Sequence, residues 1–408
     1  TNKPFSNDID EETRNRVMRQ ARRWSDRYRT LKKEGLTEAQ ILKTFSRPVK
    51  MRVFAYNKKG YADTTMTPDD SIRYYKSILR TAFVAMEPGT GHVKAYVGGP
   101  NYRYFKYDNV RQGKRQVGST IKPFLYTLAM QEGMTPCDKV VNLPQTFVLP
   151  DGNTWTPRST DKEQWIGKTV TLKWGLTNSS NNISAYLMKQ FGPEAMADMM
   201  RRMGIQSHID EVPALCVGPA DLSLWEMVAA YNTFPSRGVY IEPMFVTRIE
   251  DNQGNVISEF TNRKREAIGE NTAYLMVNLM EGVVQGGTAS RLRYRYKLMG
   301  EIAGKTGTTN DNADGWFIGY TPTLVAGIWT GAEDRQVHFQ SITYGQGAHM
   351  SLPTWGIFMR KVVEDGTLGI SENDRFIAPA GVSFDLNCTG GDNDATDVQQ
   401  KTEDYYFE

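Results

Sequence analysis

Residues 301–330 contain Glu301-Ile302-Ala303-Gly304-Lys305-Thr306, then Trp316-Phe317-Ile318-Gly319-Tyr320, the turn Thr321-Pro322-Thr323, and Leu324-Val325-Ala326-Gly327-Ile328-Trp329-Thr330. These short runs, rich in aromatic and β-branched residues and broken by turn residues, read as consecutive strands. A second strand signal lies far upstream. Thr81–Met86 is followed by the turn Glu87-Pro88-Gly89-Thr90-Gly91 and by His92–Val97, ending at Gly98-Gly99, which predicts a hairpin. From about 119 to 290 helical patterns dominate, with turn-rich breaks at 150–168 and 233–243. Two strands in front, about three behind and helices between predict an α+β fold. Its centre is one antiparallel sheet of about five strands, built from both ends of the domain and flanked by helices, with an all-helical lobe.

Ahead of the first hairpin, residues 9–34 read as one helix, and Thr37-Glu38-Ala39-Gln40 is a capping-box start for a second. Val49–Tyr56 reads as a strand. Thr67-Pro68-Asp69-Asp70 combines a hydroxyl cap, an early proline and acids at the positive helix end, and opens a helix running to about Leu79. The expected division is a helical, basic region over 1–79, a main domain over 80–380 and an acidic tail over 381–408.

The chain has 408 residues, 39% hydrophobic and 23% charged, with a net charge of +3, which is ordinary for a globular protein and does not suggest nucleic acid. The charge is uneven. Residues 11–33 hold nine Lys/Arg against three acids, and residues 383–408 hold seven acids against Lys401. The first reads as a solvated helix face or a contact with an anionic surface, and the second as a flexible end. Cys137, Cys216 and Cys388 are too few for a disulfide scaffold, and one bridge is left open. No metal-ligand spacing appears, and no metal or cofactor is expected. No run of about 18 apolar residues exists to span a membrane. The chain opens with Thr1 and no signal peptide, and reads as a fragment of a longer protein.

Three segments carry chemistry. In Gly118-Ser119-Thr120-Ile121-Lys122-Pro123-Phe124, Ser119 opens an apolar helix and Lys122 lies three residues on, on the same face. A serine hydroxyl needs a base to become a nucleophile. A lysine serves only if burial or a neighbouring cation lowers its pKa. The helix start adds N–H groups for a developing oxyanion. The second segment, Thr177-Asn178-Ser179-Ser180-Asn181-Asn182-Ile183, joins two helical patterns and so is a loop able to face a cleft. Ser180 could relay a proton and Asn182 hold a substrate amide, with Ser179/Asn181 as the alternative register. The third, Gly304-Lys305-Thr306-Gly307-Thr308-Thr309, ends a strand. Alternation puts Lys305 and Gly307 on one side, Thr306 and Thr308 on the other. Gly307 permits close approach, and the strand edge can dock an extended peptide.

Ser-x-x-Lys alone is expected about once by chance. It recurs at Ser159-Thr160-Asp161-Lys162, in a polar stretch with no apolar helix behind it, where Asp161 offers the lysine a surface partner. That copy reads as a decoy. Weight comes from the order of the three segments, with Ser119, Ser180 and Lys305 separated by 61 and 125 residues.

Here the sequence resembles the transpeptidase domain of class A, bifunctional penicillin-binding proteins, over most of residues 80–365. The likeness rests on Phe83–Gly91 with Val97-Gly98-Gly99, on Arg115–Phe124, on Trp155-Thr156-Pro157-Arg158, and on Lys305–Asn310 through Trp316–Pro322. Ser159 stands where the family usually has Asn. Ala185 favours the Ser180/Asn182 register. The resemblance implies a penicillin-binding, serine β-lactamase-like fold and peptidoglycan cross-linking outside the cytoplasmic membrane. It makes Ser119 the acylated nucleophile and Lys122 its base. Ser180 and Lys305 would relay the proton, and Asn182, Thr306, Gly307 and Thr308 would bind substrate. The N–H groups of Ser119 and Thr308 would form the oxyanion hole. The implied partners are stem peptides, β-lactams, and a glycosyltransferase domain and membrane anchor outside this sequence, of which residues 1–79 resemble the linker.

Three other enzymes or receptors share the acylation step. A β-lactamase needs a further base for deacylation, and the nearest acid after the second segment is Glu211, without the expected Asn. A D,D-carboxypeptidase uses water as acceptor. A sensor domain acylates and stops.

Overall fold

The structure is a computed structural model describing residues 4–381 and 385–388. Most of the acidic tail therefore lies outside the described residues. The basic stretch forms two helices where one was expected. α1 (Glu11–Trp24) is capped by the Asp10 carboxylate, and α2 (Asp26–Lys33) by the Ser25 hydroxyl, which accepts the Tyr28 N–H. Ser25 is extended, and its hydroxyl also donates to the Arg22 carbonyl at 2.6 Å. One small polar side chain thus closes the first helix and opens the second, a competition with the backbone that charge patterning does not reveal.

α3 (Glu38–Phe45) begins with the capping box of Thr37 and Gln40. β1 (Val49–Phe54) and β2 (Tyr61–Met66) pair antiparallel, and α4 (Pro68–Lys76) starts at the Thr67 cap. Part of the basic charge is used locally. Arg22 grips Asp69 of α4 through two bonds of 2.7 and 3.0 Å, and Arg23 reaches Glu38 at 3.0 Å.

The sheet is built from both ends of its region. β3 (Arg80–Met86), β4 (Val93–Val97), β5 (Ala303–Thr308), β6 (Asp314–Tyr320) and β7 (Val325–Gly331) lie in the order β5-β6-β7-β3-β4, all antiparallel. β7 is the seam: Ala326 faces Ala85 on one side and Gly319 on the other. Every residue of β6 and β7 is buried, because helices cover both faces of the sheet. β5 is left at an edge.

Between the two halves run α5 (Lys122–Gln131), α6 (Leu172–Thr177), α7 (Asn181–Phe191), α8 (Pro193–Arg202), α9 (Leu224–Tyr231) and α10 (Glu270–Gln285), and α11 (Leu352–Glu364) follows the sheet. α5 is buried from Lys122 to Met130, so it is an interior helix, apolar nearly all round. α7 and α8 pack on it. On one face of the sheet, Trp355 of α11 donates its indole N–H to the Ala326 carbonyl at 3.1 Å and meets Phe317 edge-on. On the other, Phe234 beyond α9 stacks on Tyr320.

Cys137 and Cys388 form a disulfide across 251 residues, and Cys216 is free and buried. Beside the bridge, the Lys173 amine donates to the Leu386 carbonyl at 2.8 Å and to Asn278 Oδ1 at 3.0 Å. The last described residues are thereby fastened to the helical lobe. Among the described residues no helix is long and apolar enough to cross a membrane.

Loop closure over this separation makes the bridge stabilising chiefly through the unfolded chain. Replacing Cys137 and Cys388 together by Ser should cost about 2–5 kcal/mol, seen as a lower thermal midpoint. Mild reduction of the unaltered protein should lower it equally. An unchanged midpoint in both experiments would remove the bridge from the fold's support.

Candidate functional site

The segment ahead of Ser119 is riveted to the sheet. Arg115 Nε donates to Asp314 Oδ1 at 2.7 Å, and the Trp329 indole donates to the same oxygen at 2.9 Å. Trp316 donates to the Gln116 carbonyl at 2.8 Å. Gly118 has φ +52°, and a Cβ there would lie 2.5 Å from the Thr308 carbonyl oxygen. At Gly307 a Cβ would lie 2.6 Å from the Val117 carbonyl oxygen. Only glycines let the start of the serine turn press against the edge strand this closely.

Ser119 sits half-exposed in a single 3-10 turn, Gly118–Ile121, that feeds α5. Lys122 follows it and is fully buried. Its amine donates to the Ser179 carbonyl at 2.6 Å, to Asn181 Oδ1 at 2.7 Å and to Ser179 Oγ at 3.4 Å. Lys305, also fully buried, projects from β5 and donates to Ser179 Oγ at 2.9 Å. Two lysine amines from different elements thus flank one serine hydroxyl.

The register expected for the second segment needs correction. Ser180 touches neither amine: its hydroxyl donates to Asp161 Oδ2 at 2.6 Å and caps α7 by accepting the Ile183 N–H. Asn182 points into the core and donates to Asn142 Oδ1 at 2.9 Å. Ser179 and Asn181 occupy the positions expected of Ser180 and Asn182. Ser179 closes the turn after α6 in the left-handed region, φ 57°, which costs about 1–3 kcal/mol for a non-glycine residue. Helix α7 starts at Asn181, so each further residue turns the side chain about 100°, and Asn182 is carried away from Lys122. In Ser-Ser-Asn-Asn both registers present the same residue types, so only backbone geometry separates them.

The stretch read as a decoy has a second connection. Asp161 accepts the Ser180 hydroxyl at 2.6 Å and so touches the catalytic loop. Glu211 is tied to Arg201 at 2.8 Å on the surface.

On β5, Thr309 N–H bonds the Asp314 carbonyl and Thr308 stands opposite Gly315. Alternation in an antiparallel ladder then turns the Thr308 N–H to the open edge, where Gly118 and Ser119 lie. Thr306 and Thr308 carry their hydroxyls on the side away from Lys305. Thr306 Oγ1 pairs with Thr288 Oγ1 at 2.7 Å, and Thr308 Oγ1 accepts the Gly347 N–H at 3.0 Å. Thr288 had no signal in the sequence beyond its place after a helix.

Burial dominates the electrostatics. It pushes the Lys122 amine down to about 8, against the opposing pull of the Asp161 carboxylate. Burial and the nearby Lys122 push Lys305 well below the ordinary lysine range. The Cys216 thiol is pushed up to about 12 by burial, and so stays protonated beside Lys122. The two amines therefore do not hold two charges: Lys305 is the free base at neutral pH, and Lys122 loses its proton near 8. A half-exposed hydroxyl, an amine one turn away that loses its proton near 8 and an outward N–H on a strand edge suit acyl transfer through a serine ester.

The family pattern described as "Penicillin binding protein transpeptidase domain" matches residues 81–329, and "Penicillin-binding protein middle domain" matches residues 1–79. Penicillin-binding protein 1A of Aquifex aeolicus is 27% identical over 343 residues, 81% of this chain and 46% of that protein. Penicillin-binding protein 2D of Bacillus subtilis is 33% identical over 319 residues, 75% of this chain and 44% of that protein. The solved structure of the penicillin-binding protein PonA1 from Mycobacterium tuberculosis matches with a TM-score of 0.61 at 26% identity, over 74% of this chain and 81% of that one. The chain spans less than half the length of these curated relatives.

With lysine side chains labelled with 13C, one resonance should titrate with a midpoint near 8, losing its proton as pH rises, and should vanish in Lys122→Met. If every lysine instead titrates above about pH 10, the buried-amine description is wrong.

Proposed function

The chain belongs to the penicillin-binding protein transpeptidase family, whose pattern covers residues 81–329, and on that premise we propose that it is a serine D,D-transpeptidase cross-linking peptidoglycan stem peptides. The observation that carries this reading is the Ser179 hydroxyl held between Lys305 and Lys122, the latter three residues after Ser119.

The proposed reaction begins when Ser119 Oγ attacks the carbonyl of the penultimate D-alanine of a donor peptide. The proton leaves Oγ for the neutral Lys122 amine. Negative charge on the carbonyl oxygen is met by the N–H groups of Ser119 and Thr308. Collapse breaks the peptide bond, and the proton passes from Lys122 through Ser179 Oγ to the departing D-alanine nitrogen. Lys305 steadies Ser179 and the charge that develops there. An acceptor amine then attacks the Ser119 ester, its surplus proton passes to Lys122 and from there to Ser119 Oγ, which leaves as the hydroxyl, and Lys122 is again neutral. The donor amide is assigned to the Asn181 side chain, which before substrate arrives bonds Lys122 and the Arg158 carbonyl. Thr306 and Thr308 are the carboxylate binders, with Gly307 giving the peptide room against the strand. β-Lactams are proposed to acylate Ser119 as mimics of the donor.

We assign the chemistry to residues 80–380, with 1–79 as the linker to a glycosyltransferase domain and 381–408 as an acidic tail. This places the protein on the outer side of the cytoplasmic membrane, anchored through a segment outside this sequence. The greater length of the relatives supports that placement. Glu211, engaged by Arg201 on the surface, offers no base for deacylation, so penicillin is expected to turn over slowly.

Treatment with penicillin should add one adduct mass, mapped to Ser119, persisting for many minutes. Ser119→Ala should abolish it with an unchanged thermal midpoint. An adduct elsewhere, or rapid hydrolysis of the drug, would overturn the proposal. The acylation rate should climb about tenfold per pH unit at low pH and level off above about 8, because only the deprotonated Lys122 accepts the Ser119 proton. A flat profile between pH 6 and 9 would exclude Lys122 as the base. Product analysis with an added amine acceptor separates cross-linking from simple hydrolysis.

A further inference from the structure

The second Ser-x-x-Lys stretch has no part in this chemistry, yet it lies along the catalytic loop. Asn181 Nδ2 donates to the Arg158 carbonyl at 2.8 Å, Thr160 Oγ1 donates to the Ser179 carbonyl at 3.5 Å, and Ser180 Oγ donates to Asp161 Oδ2 at 2.6 Å. Three consecutive residues, 179 to 181, are each bonded to this one segment. Ser179 is in the strained left-handed region, and such a conformation persists only where surrounding contacts over-determine it. Ser180, fully buried beside it, gives its only proton to Asp161 while capping α7.

Among the described residues, few titratable groups face Lys122. Lys305 faces it across Ser179 from β5, and the Cys216 thiol faces it from the 3-10 turn Pro213–Val217. Tyr126 lies one turn further along α5, and Asp161 comes from the segment just described. Of these, Asp161 is the single carboxylate. Its charge pulls on both Lys122 and Tyr126.

We propose that Asp161 is the positioning residue of this site, holding the Ser179 hydroxyl between the two amines through Ser180 and keeping one proton on the lysine pair by its negative charge. The proposal rests on Ser119 being the nucleophile and Lys122 its base. When Ser119 gives up its proton the amine becomes an ammonium in a dry cleft, and a carboxylate nearby makes that state less costly. Without it the amine would lose its proton at lower pH and would also be a weaker base for the serine. Asp161 needs no contact with substrate for either effect.

The test is the second-order rate of penicillin acylation from pH 5.5 to 10, followed by intact mass. In Asp161→Asn the limb should move down by about half a pH unit or more, and the plateau should fall about tenfold. Asp161→Glu keeps the charge and should hold the limb near its original place. Ser180→Ala breaks the link but keeps the charge, so its plateau should fall while its limb stays. Should Asp161→Asn fail to fold, Asp161→Ser takes its place, because it also removes the charge and is expected to move the limb down in the same way. A profile in Asp161→Asn superimposable on the original, or a lower plateau with an unmoved limb, would overturn the inference. Absence of any Ser119 adduct in the unaltered chain would instead overturn the functional reading, and this inference with it.

Discussion

Two lysine amines fully buried on either side of one serine hydroxyl cannot both stay charged. Removing an ammonium from water costs several kcal/mol even after relaxation, and a second cation alongside raises the cost. The pair of Lys122 and Lys305 answers unequally: Lys305 is the free amine at neutral pH, and Lys122, beside Ser119, gives up its proton near 8. Serine acylation needs that base, and no histidine supplies it here. The remaining architecture serves to bring these two side chains together, since one belongs to an interior helix and the other to an edge strand.

Their meeting depends on how closely the backbones approach. Gly118 and Gly307 remove the side chains that would hold the serine turn away from β5. Arg115, Trp316 and Trp329 then lock the segment ahead of Ser119 onto the buried strands. A sheet covered on both faces is a stiff platform, and stiffness matters because a proton relay tolerates little misplacement. The left-handed Ser179 is the one strained element of this assembly, and it is pinned by both amines and by the segment 158–161.

Much of the fold could be read along the chain because strand and helix signals are local. Alternating runs marked the strands, the apolar run after Ser119 marked an interior helix, and the capping residues at Thr37 and Thr67 marked helix starts. The break at Ser25 was missed, since a serine that caps looks the same in sequence as one on a helix surface. The link from Asp161 to the catalytic loop is hidden for a related reason: its hydrogen-bond donor, Ser180, is 19 residues away. The bridge between Cys137 and Cys388 spans 251 residues, too far for spacing to indicate a pairing.

By itself the sequence determined the α+β class, the strands at both ends of the region, and the chemical types of the three segments. These follow from periodicities of two and 3.6 residues, which need no knowledge of distant contacts. Tertiary structure alone decided that Ser179 and Asn181, rather than Ser180 and Asn182, meet Lys122. A single left-handed residue before a helix rotates every side chain that follows, and four consecutive polar residues carry no periodic signal that could reveal the rotation.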